Sequence, residues 1–245
     1  MTDASRARKA VVMAAGRGKR LGSLTTERPK PMLPVRGRPV LEHIVRGLLS
    51  TGLGEILLVV GYRGEAIVEH FGDGAALGAR IAYVWQSAAT GTGAALACGR
   101  EFAAGEPVLA AYGDILTDPA HYAALLASYA AAPCGAVIGV NYMEDPSAGA
   151  AVFREGERVT RVVEKPPPGT ARCHWNVAGV SVFGPAVWPI LDALTLSPRG
   201  EYELTAAIER LIRTGAGVRA VELGGFWSDI GTPAALAEAE RLWTS

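Results

Sequence analysis

Runs of apolar residues, each broken by glycine or polar residues, recur along the first half of the chain. Residues 10–14, 56–60 and 108–112 form such runs, which are typical of strands buried on both faces of a sheet. Between the first two runs, segment 39–50 has its leucine and β-branched residues on one helical face. Strands that alternate with helices predict βαβ units, and therefore a mostly parallel sheet with helices on both faces.

The same interpretation extends to the whole chain. The predicted strands span residues 10–14, 56–60, 81–85, 108–112, 136–140, 150–153, 159–163, 177–183 and 218–222. The predicted helices span residues 39–50, 64–71, 93–102, 120–131, 186–194 and 203–214, and a last one begins at residue 233. Between 150 and 183 the strands follow one another without helices, which indicates a small antiparallel insertion or an antiparallel sheet edge. The predicted fold class is α/β, with a Rossmann-like, mixed sheet.

No internal repeat or long polar linker divides the 245 residues, so we expect a single domain over residues 1–245. Lys plus Arg and Asp plus Glu number 24 each, and the formal net charge is 0. No overall field therefore draws the protein to nucleic acid or to a membrane, and phosphate recognition must come from local basic clusters.

The cysteines and the N-terminal region indicate the compartment. The 3 cysteines form no CxxC pair, which favours thiols in a reducing compartment over a zinc site. The first apolar run stops at Gly16, so it is too short for a signal peptide or a membrane span. We therefore expect a cytoplasmic protein.

A glycine-rich loop follows the first predicted strand, where open α/β sheets bind their ligands. The segment AAGRGKRLG, residues 14–22, combines glycines with Arg17, Lys19 and Arg20. Glycines let backbone N–H groups approach phosphate oxygens. The spacing is neither GxGxxG nor a Walker A loop, and a plain tight turn would also explain the glycines alone.

The loop continues as AAGRGKRLGSLTTERPKPMLPVRGRPVLEH, residues 14–43. This segment resembles the N-terminal signature of the sugar-phosphate nucleotidylyltransferases, a glycine-rich loop with Arg-Leu and then Pro-Lys-Pro. The resemblance implies that Arg20 and Lys30 contact the triphosphate, and the rigid φ of the flanking Pro29 and Pro31 would hold Lys30 in place. The nucleotide-binding residues that it implies are Ala14, Ala15, Gly16, Gly18, Arg20, Lys30, Gln86, Gly91 and Thr92.

The base is expected to lie near Gln86, which follows the third predicted strand and precedes Gly91-Thr92. A glutamine amide offers a donor beside an acceptor, which matches the edge of uracil or thymine. UTP or dTTP is therefore favoured, while GTP and CTP remain open.

Asp114 and Asp229 are the predicted metal ligands. Asp114 follows the fourth strand in Tyr-Gly-Asp, and Asp229 lies in Trp-Ser-Asp-Ile-Gly-Thr-Pro. In the family that the chain resembles, the matching aspartates hold Mg²⁺, an ion that prefers a few carboxylates together with phosphate oxygens and water. A turn or helix cap is the plainer explanation of either aspartate alone.

The segments Glu164-Lys165-Pro166, Asn176-Val177-Ala178-Gly179 and Gly200–Thr205 also resemble the family's sugar-phosphate side. The implied sugar-phosphate-binding residues are Gly149, Glu164, Lys165, Asn176, Gly179 and Glu201. The implied catalytic residues are Arg20, Lys30, Asp114 and Lys165. Residues 10–118 would then form the nucleotide-binding half, 119–232 the sugar-phosphate half, and 233–245 a C-terminal helix.

The resemblance implies direct attack of a sugar 1-phosphate on a nucleoside triphosphate, with Mg²⁺ as cofactor and pyrophosphate as product. Three alternatives remain at this stage. They are a non-catalytic nucleotide-sugar sensor of the same fold, a dinucleotide-dependent oxidoreductase, and the same chemistry on a heptose, cyclitol or choline phosphate. Because nothing follows the last predicted helix, we expect no acyltransferase domain. The sequence leaves the oligomeric state open, a homo-oligomer included.

Overall fold

The computed structural model of the protein describes residues 6–88 and 90–244, apart from the side chain of Lys19. The strands found there are β1 (Lys9–Ala14), β2 (Pro34–Val35), β3 (Arg38–Pro39), β4 (Glu55–Val60), β5 (Arg80–Trp85), β6 (Val108–Tyr112), β7 (Ile115–Thr117), β8 (Ala136–Tyr142), β9 (Ala150–Glu155), β10 (Arg158–Glu164), β11 (Trp175–Phe183), β12 (Val218–Glu222) and β13 (Trp227–Asp229). The α-helices are α1 (Val40–Ser50), α2 (Gly64–Phe71), α3 (Thr92–Ala97), α4 (Arg100–Ala103), α5 (Pro119–Ala131), α6 (Val187–Asp192), α7 (Leu204–Arg213) and α8 (Pro233–Leu242).

In this described part of the chain, nine strands form one mixed sheet in the order β5-β4-β1-β6-β11-β8-β12-β10-β9. Strands β5, β4, β1 and β6 are mutually parallel. Strand β11 lies between β6 and β8 and runs antiparallel to both, while β9 and β10 form an antiparallel edge. The predicted α/β class and mostly parallel sheet are confirmed. The antiparallel strands belong to the same sheet, and one of them lies in its interior.

Two hydrophobic cores lie on the two faces of the sheet, because side chains along a strand alternate between faces. In β1, Ala10, Val12 and Ala14 belong to one core and Val11 and Met13 to the other. Helices α1, α2, α5 and α8 contribute to the first core, and α3, α4, α6 and α7 to the second. The uninterrupted apolar run of β1 is explained by this burial on both faces.

The structure differs from the predicted elements mainly where elements are short. The single helix predicted over 93–102 is divided into α3 and α4, and Gly99 between them leaves room for Val11, whose Cγ2 would lie 2.8 Å from an added Cβ. The pairs β2–β3 and β7–β13, of two or three residues per strand, were not predicted. The C-terminal helix ends at Leu242, and Ser245 lies outside the described residues.

No helix within residues 6–88 and 90–244 has both the length and the apolar character needed to cross a bilayer.

Candidate active site

A cleft of about 550 Å³ lies where β6 ends, and Tyr112, Asp114 and Ile115 form part of its wall. The carboxyl ends of parallel strands are the usual ligand-binding edge of an open α/β sheet. The predicted site residues that line the cleft are Arg20, Lys30, Thr92, Asp114, Gly149, Glu164, Lys165, Asn176, Glu201 and Asp229.

The ammonium of Lys30 connects the two predicted metal ligands. Its Nζ lies 2.6 Å from Asp114 Oδ2 and 2.9 Å from Asp229 Oδ1. The Lys30 side chain is only 7% exposed, against 31% for Asp114 and 39% for Asp229. Burial acts to lower the pKa of Lys30, but the charges of both aspartates and their hydrogen bonds outweigh it and raise the pKa above its ordinary value. Lys30 is therefore charged at neutral pH.

The glycine-rich loop and two prolines fix the position of Lys30. Pro29 and Pro31 flank it at the start of a short 3-10 helix, Lys30–Met32. Gly18, with φ 69°, packs against the lysine stem, and an added Cβ would lie 2.9 Å from Lys30 Cβ. The loop therefore supports the side chain that contacts the aspartates.

A short strand pair brings Asp229 to Asp114 from the distant end of the sequence. In β13, Asp229 lies opposite Ile115, the residue that follows Asp114. The Arg20 guanidinium lies 3.5 Å from the second carboxylate oxygen of Asp229. Gly231 leaves room for this contact, since an added Cβ would lie 2.8 Å from Arg20 Nη2.

Asp114 and Asp229 are the predicted metal ligands, and both lie on the cleft wall. One ammonium contacts an oxygen of each carboxylate, so the two carboxylates face the same position in the cleft. Among the residues that the structure describes, no cluster of three or more His, Cys, Asp or Glu side chains could hold a metal. Mg²⁺ often takes one or two carboxylates and completes its octahedron with phosphate oxygens and water. The pair therefore fits an ion that binds together with a triphosphate.

Glu164 and Lys165 lie at the end of β10, on the wall of the same cleft. Thr205 Oγ1 donates to Glu164 Oε2 at 3.0 Å. Burial raises the pKa of Glu164 and outweighs the opposing hydrogen bond from Thr205. Lys165 has a left-handed backbone, φ 40°, and its N–H donates to Gly149 O at 2.8 Å.

Arg199 is a residue of the cleft wall that was not predicted from the sequence. Its Nη1 lies 3.0 Å from a Glu164 oxygen and 3.3 Å from a Glu203 oxygen, and its Nη2 lies 3.3 Å from a Glu201 oxygen. The available signal was its position, directly before the Gly-Glu-Tyr-Glu-Leu-Thr segment. One guanidinium thus forms ion pairs with three carboxylates on this wall.

Asn176 is 3% exposed, and its amide is already bonded within the protein. Its Oδ1 accepts from Ala150 N at 2.9 Å, and its Nδ2 donates to Asn141 Oδ1 at 3.0 Å and to Val177 O at 2.9 Å. Gly149 makes room for this amide, because an added Cβ would overlap its oxygen. These bonds connect β8, β9 and β11 beneath the cleft.

Gln86 and Gly91 lie outside the cleft wall, although Thr92 is part of it. Gln86 Nε2 donates to Gly91 O at 3.3 Å. Gly91, at φ 113°, closely approaches the backbone of Tyr202, and Thr92 Oγ1 accepts from Leu204 N at 3.1 Å. The predicted residues that the structure does not bring to the cleft wall are Ala14, Ala15, Gly16, Gly18, Gln86, Gly91 and Gly179.

Comparison with known proteins gives consistent matches. The nucleotidyl transferase family matches residues 9–245. The low-salt glycan biosynthesis nucleotidyltransferase Agl11 of Haloferax volcanii is 33% identical over 96% of this chain, which spans 65% of that relative. The UTP–glucose-1-phosphate uridylyltransferase AglF of the same organism is 32% identical over 95% of both chains. Several further relatives are about twice as long as the matched part.

The fold is also that of a solved structure of UDP-glucose pyrophosphorylase complexed with UDP-glucose. The TM-score is 0.87 at 22% identity, over 96% of this chain and 97% of the other. At that identity the likeness concerns the fold alone. The family match covers the glycine-rich loop, both aspartates and the Glu-Lys-Pro segment. This chain therefore belongs to the nucleotidyl transferase family that its N-terminal signature resembles.

Proposed function

We propose that this protein transfers a nucleotidyl group from a nucleoside triphosphate to a sugar 1-phosphate and releases pyrophosphate. The observation that carries the proposal is the meeting of Arg20 and Lys30 with Asp114 and Asp229 at one cleft. Phosphoryl transfer depends on positioned cations and on carboxylates that hold a divalent ion, and these four side chains are of the types that such a site requires.

The chemistry is a single displacement. An oxygen of the sugar 1-phosphate forms a bond to the α-phosphorus, and the bond from that phosphorus to the oxygen bridging to the β-phosphate breaks in line. The attacking oxygen is anionic near pH 7, so it needs positioning more than a general base. Arg20 and Lys30 oppose the charge of the triphosphate, and Lys165 and Arg199 oppose that of the sugar phosphate.

Asp114 and Asp229 would hold Mg²⁺ in this reaction. When bound, the ion supplies positive charge against the α-phosphate oxygens. The two carboxylates would hold the ion beside Lys30 and Arg20, whose side chains pair with them.

For the nucleotide, we favour UTP or dTTP over GTP and CTP. Gln86 is the residue that the family resemblance assigns to the base, and its Nε2 donates to Gly91 O. That bond leaves the amide oxygen to accept a hydrogen bond such as that from N3–H of uracil or thymine. The relative AglF acts on UTP and glucose 1-phosphate according to its name.

For the acceptor, we favour a hexose 1-phosphate, with glucose 1-phosphate as the first compound to test. Glu164 and Glu201 present carboxylate oxygens on the cleft wall, and carboxylates accept hydrogen bonds from sugar hydroxyls. Asn176 is already bonded within the protein, so we assign it to shaping this wall.

The test is a pyrophosphate-release assay with UTP, dTTP, GTP and CTP, each against a panel of sugar 1-phosphates. Glucose 1-phosphate with UTP or dTTP is expected to give the highest kcat/KM. Asp114→Asn is expected to lower turnover by about 10²-fold or more, since it removes a charge that opposes Lys30 and holds the ion.

Asp118→Asn is the matched control, because it makes the same chemical change four residues away. Asp118 caps α5 by accepting from Ala120 N at 2.9 Å, and asparagine is an equally good cap. This variant should keep turnover near that of the wild type. Pyrophosphate release with none of the pairs would overturn the proposed reaction, and normal turnover of Asp114→Asn would remove the metal assignment.

A further inference from the structure

The Lys30 ammonium lies where a cation shared by Asp114 and Asp229 would lie. It contacts Asp114 Oδ2 at 2.6 Å and Asp229 Oδ1 at 2.9 Å, with 7% of its side chain exposed. Arg20 lies 3.5 Å from the other oxygen of Asp229. The protein's own cations therefore neutralise both carboxylates.

A divalent ion and this ammonium cannot share the position. Mg²⁺ binds oxygens at about 2.0–2.1 Å, so an ion bound to the two oxygens that Lys30 contacts would lie against the ammonium. Two cations at that separation repel strongly in a half-buried site. An ion that binds these two oxygens requires the end of the lysine side chain to move away.

The lysine has little freedom unless a new anionic partner is present. Its backbone is held between Pro29 and Pro31, and its stem packs against Gly18. Only the outer part of the side chain can swing, and leaving the carboxylates would strip a buried ammonium of both its hydrogen bonds. Phosphate oxygens of a nucleotide provide a replacement partner of the same charge.

We propose that Lys30 is a built-in competitor for the metal position, so that the aspartate pair accepts a divalent cation readily only after a triphosphate has drawn the ammonium away. This inference rests on the proposed function, because it assumes that a triphosphate binds beside Lys30. The inference adds an order of binding. The protein alone binds the metal ion weakly, and it binds the ion strongly once the nucleotide is bound.

The test measures Mn²⁺ binding to the nucleotide-free protein from the electron paramagnetic resonance signal of free Mn²⁺. The wild type is compared with Lys30→Met and with Lys30→Gln, which keeps a polar side chain should Met fail to fold. Removing the competitor is expected to tighten Mn²⁺ binding by about tenfold or more. Adding Asp229→Asn to Lys30→Met should abolish that gain, which locates the ion at the aspartate pair.

Arg20→Met is the matched control, because it removes another positive charge beside Asp229. The Arg20 side chain is 69% exposed, and among the described residues its one ion pair is with Asp229, so screening by water limits its effect to about threefold or less. Equal gains for Arg20→Met and Lys30→Met would overturn the proposal in favour of a general charge effect. Equal affinity of the wild type and both Lys30 variants would also overturn it.

These outcomes separate the inference from the proposed function. If the wild type binds Mn²⁺ as tightly as Lys30→Met and still releases pyrophosphate, the competition is wrong and the proposed reaction stands. If no variant binds Mn²⁺ in a manner that depends on Asp229, even with UTP present, the aspartate pair is not the metal site and the inference fails with it.

Discussion

Gly18→Ala tests whether the glycine-rich loop supports Lys30. Gly18 has φ 69° and ψ 44°, in the left-handed region, and an added Cβ would lie 2.9 Å from Lys30 Cβ and 3.2 Å from Lys30 Cδ. The nearest atom belongs to the base of the lysine side chain. Rotation of its outer part therefore cannot relieve the clash, and the backbone of one segment has to move.

Two effects of different size follow from this substitution. A non-glycine residue in the left-handed region costs about 1–2 kcal/mol of folding free energy. Movement of the lysine stem displaces a Nζ that lies 2.6 and 2.9 Å from the two aspartates, and a misplacement of about 1 Å can cost about 10²-fold in rate. We expect kcat/KM to fall about 10²-fold, equivalent to about 2.7 kcal/mol, while the protein stays folded.

Gly78→Ala provides the comparison for this prediction. Gly78 is also left-handed, with φ 78° and ψ 20°, but an added Cβ meets no atom within 4 Å. Both variants should lose free energy of unfolding in urea through the left-handed backbone, with a larger loss for Gly18→Ala because of its clash with Lys30, whereas only Gly18→Ala should lose pyrophosphate-release activity. Equal kcat/KM for the two variants would refute the idea that the loop positions Lys30.

Three further predictions concern charge and packing. Burial raises the pKa of Glu42, but hydrogen bonds from Arg46 and His70 outweigh it and lower the pKa, so this carboxylate stabilises the fold above its unfolded pKa of about 4.3. At pH 7 the wild type should be more stable than Glu42→Gln by about 1–3 kcal/mol of unfolding free energy. The two values should converge as the pH falls through the lowered pKa, and a constant difference down to pH 3 would contradict this. Arg199→Met should raise the KM for the sugar 1-phosphate about tenfold or more and leave the KM for the triphosphate nearly unchanged. The reason is that the lost charge-assisted contact is confined to the sugar-phosphate side of the cleft. Steady-state kinetics that show the reverse would exclude the assignment of Arg199 to the sugar phosphate. Gly149→Ala should lower the free energy of unfolding in urea by about 1–3 kcal/mol, because its Cβ overlaps a buried amide, and an unchanged value would count against that overlap.

The sheet was predictable because burial on both faces leaves a simple mark in the sequence. The apolar runs of β1, β4 and β6 fall where they were predicted, within one residue at each end. The pairing of β7 with β13 was not predictable in this way. Three-residue strands carry too few positions for a period, and their partners lie more than 100 residues apart.

The site, like the sheet, was predictable only in part. Arg20, Lys30, Asp114 and Asp229 were identified by type and context, and the structure brings them together. Their mutual ion pairs could not be predicted, because they depend on how the sheet brings distant segments into contact. The cluster around Arg199 was missed for the same reason.

The ion pairs of the cleft also bear on how substrates are recognised. On the sugar side, Glu164, Glu201 and Glu203 pair with Arg199 and orient its guanidinium. A phosphate that binds this guanidinium competes with the glutamates for its N–H groups. The glutamate oxygens can then accept hydrogen bonds from sugar hydroxyls. A free sugar would meet carboxylates that are already paired with Arg199, and a free phosphate would leave carboxylates without a partner, which is costly in a half-buried site.

We therefore expect the phosphate and the sugar ring to be recognised jointly, with binding of the intact sugar 1-phosphate stronger than the sum of its parts. Isothermal titration with glucose, inorganic phosphate and glucose 1-phosphate would test this, and strictly additive binding free energies would contradict it.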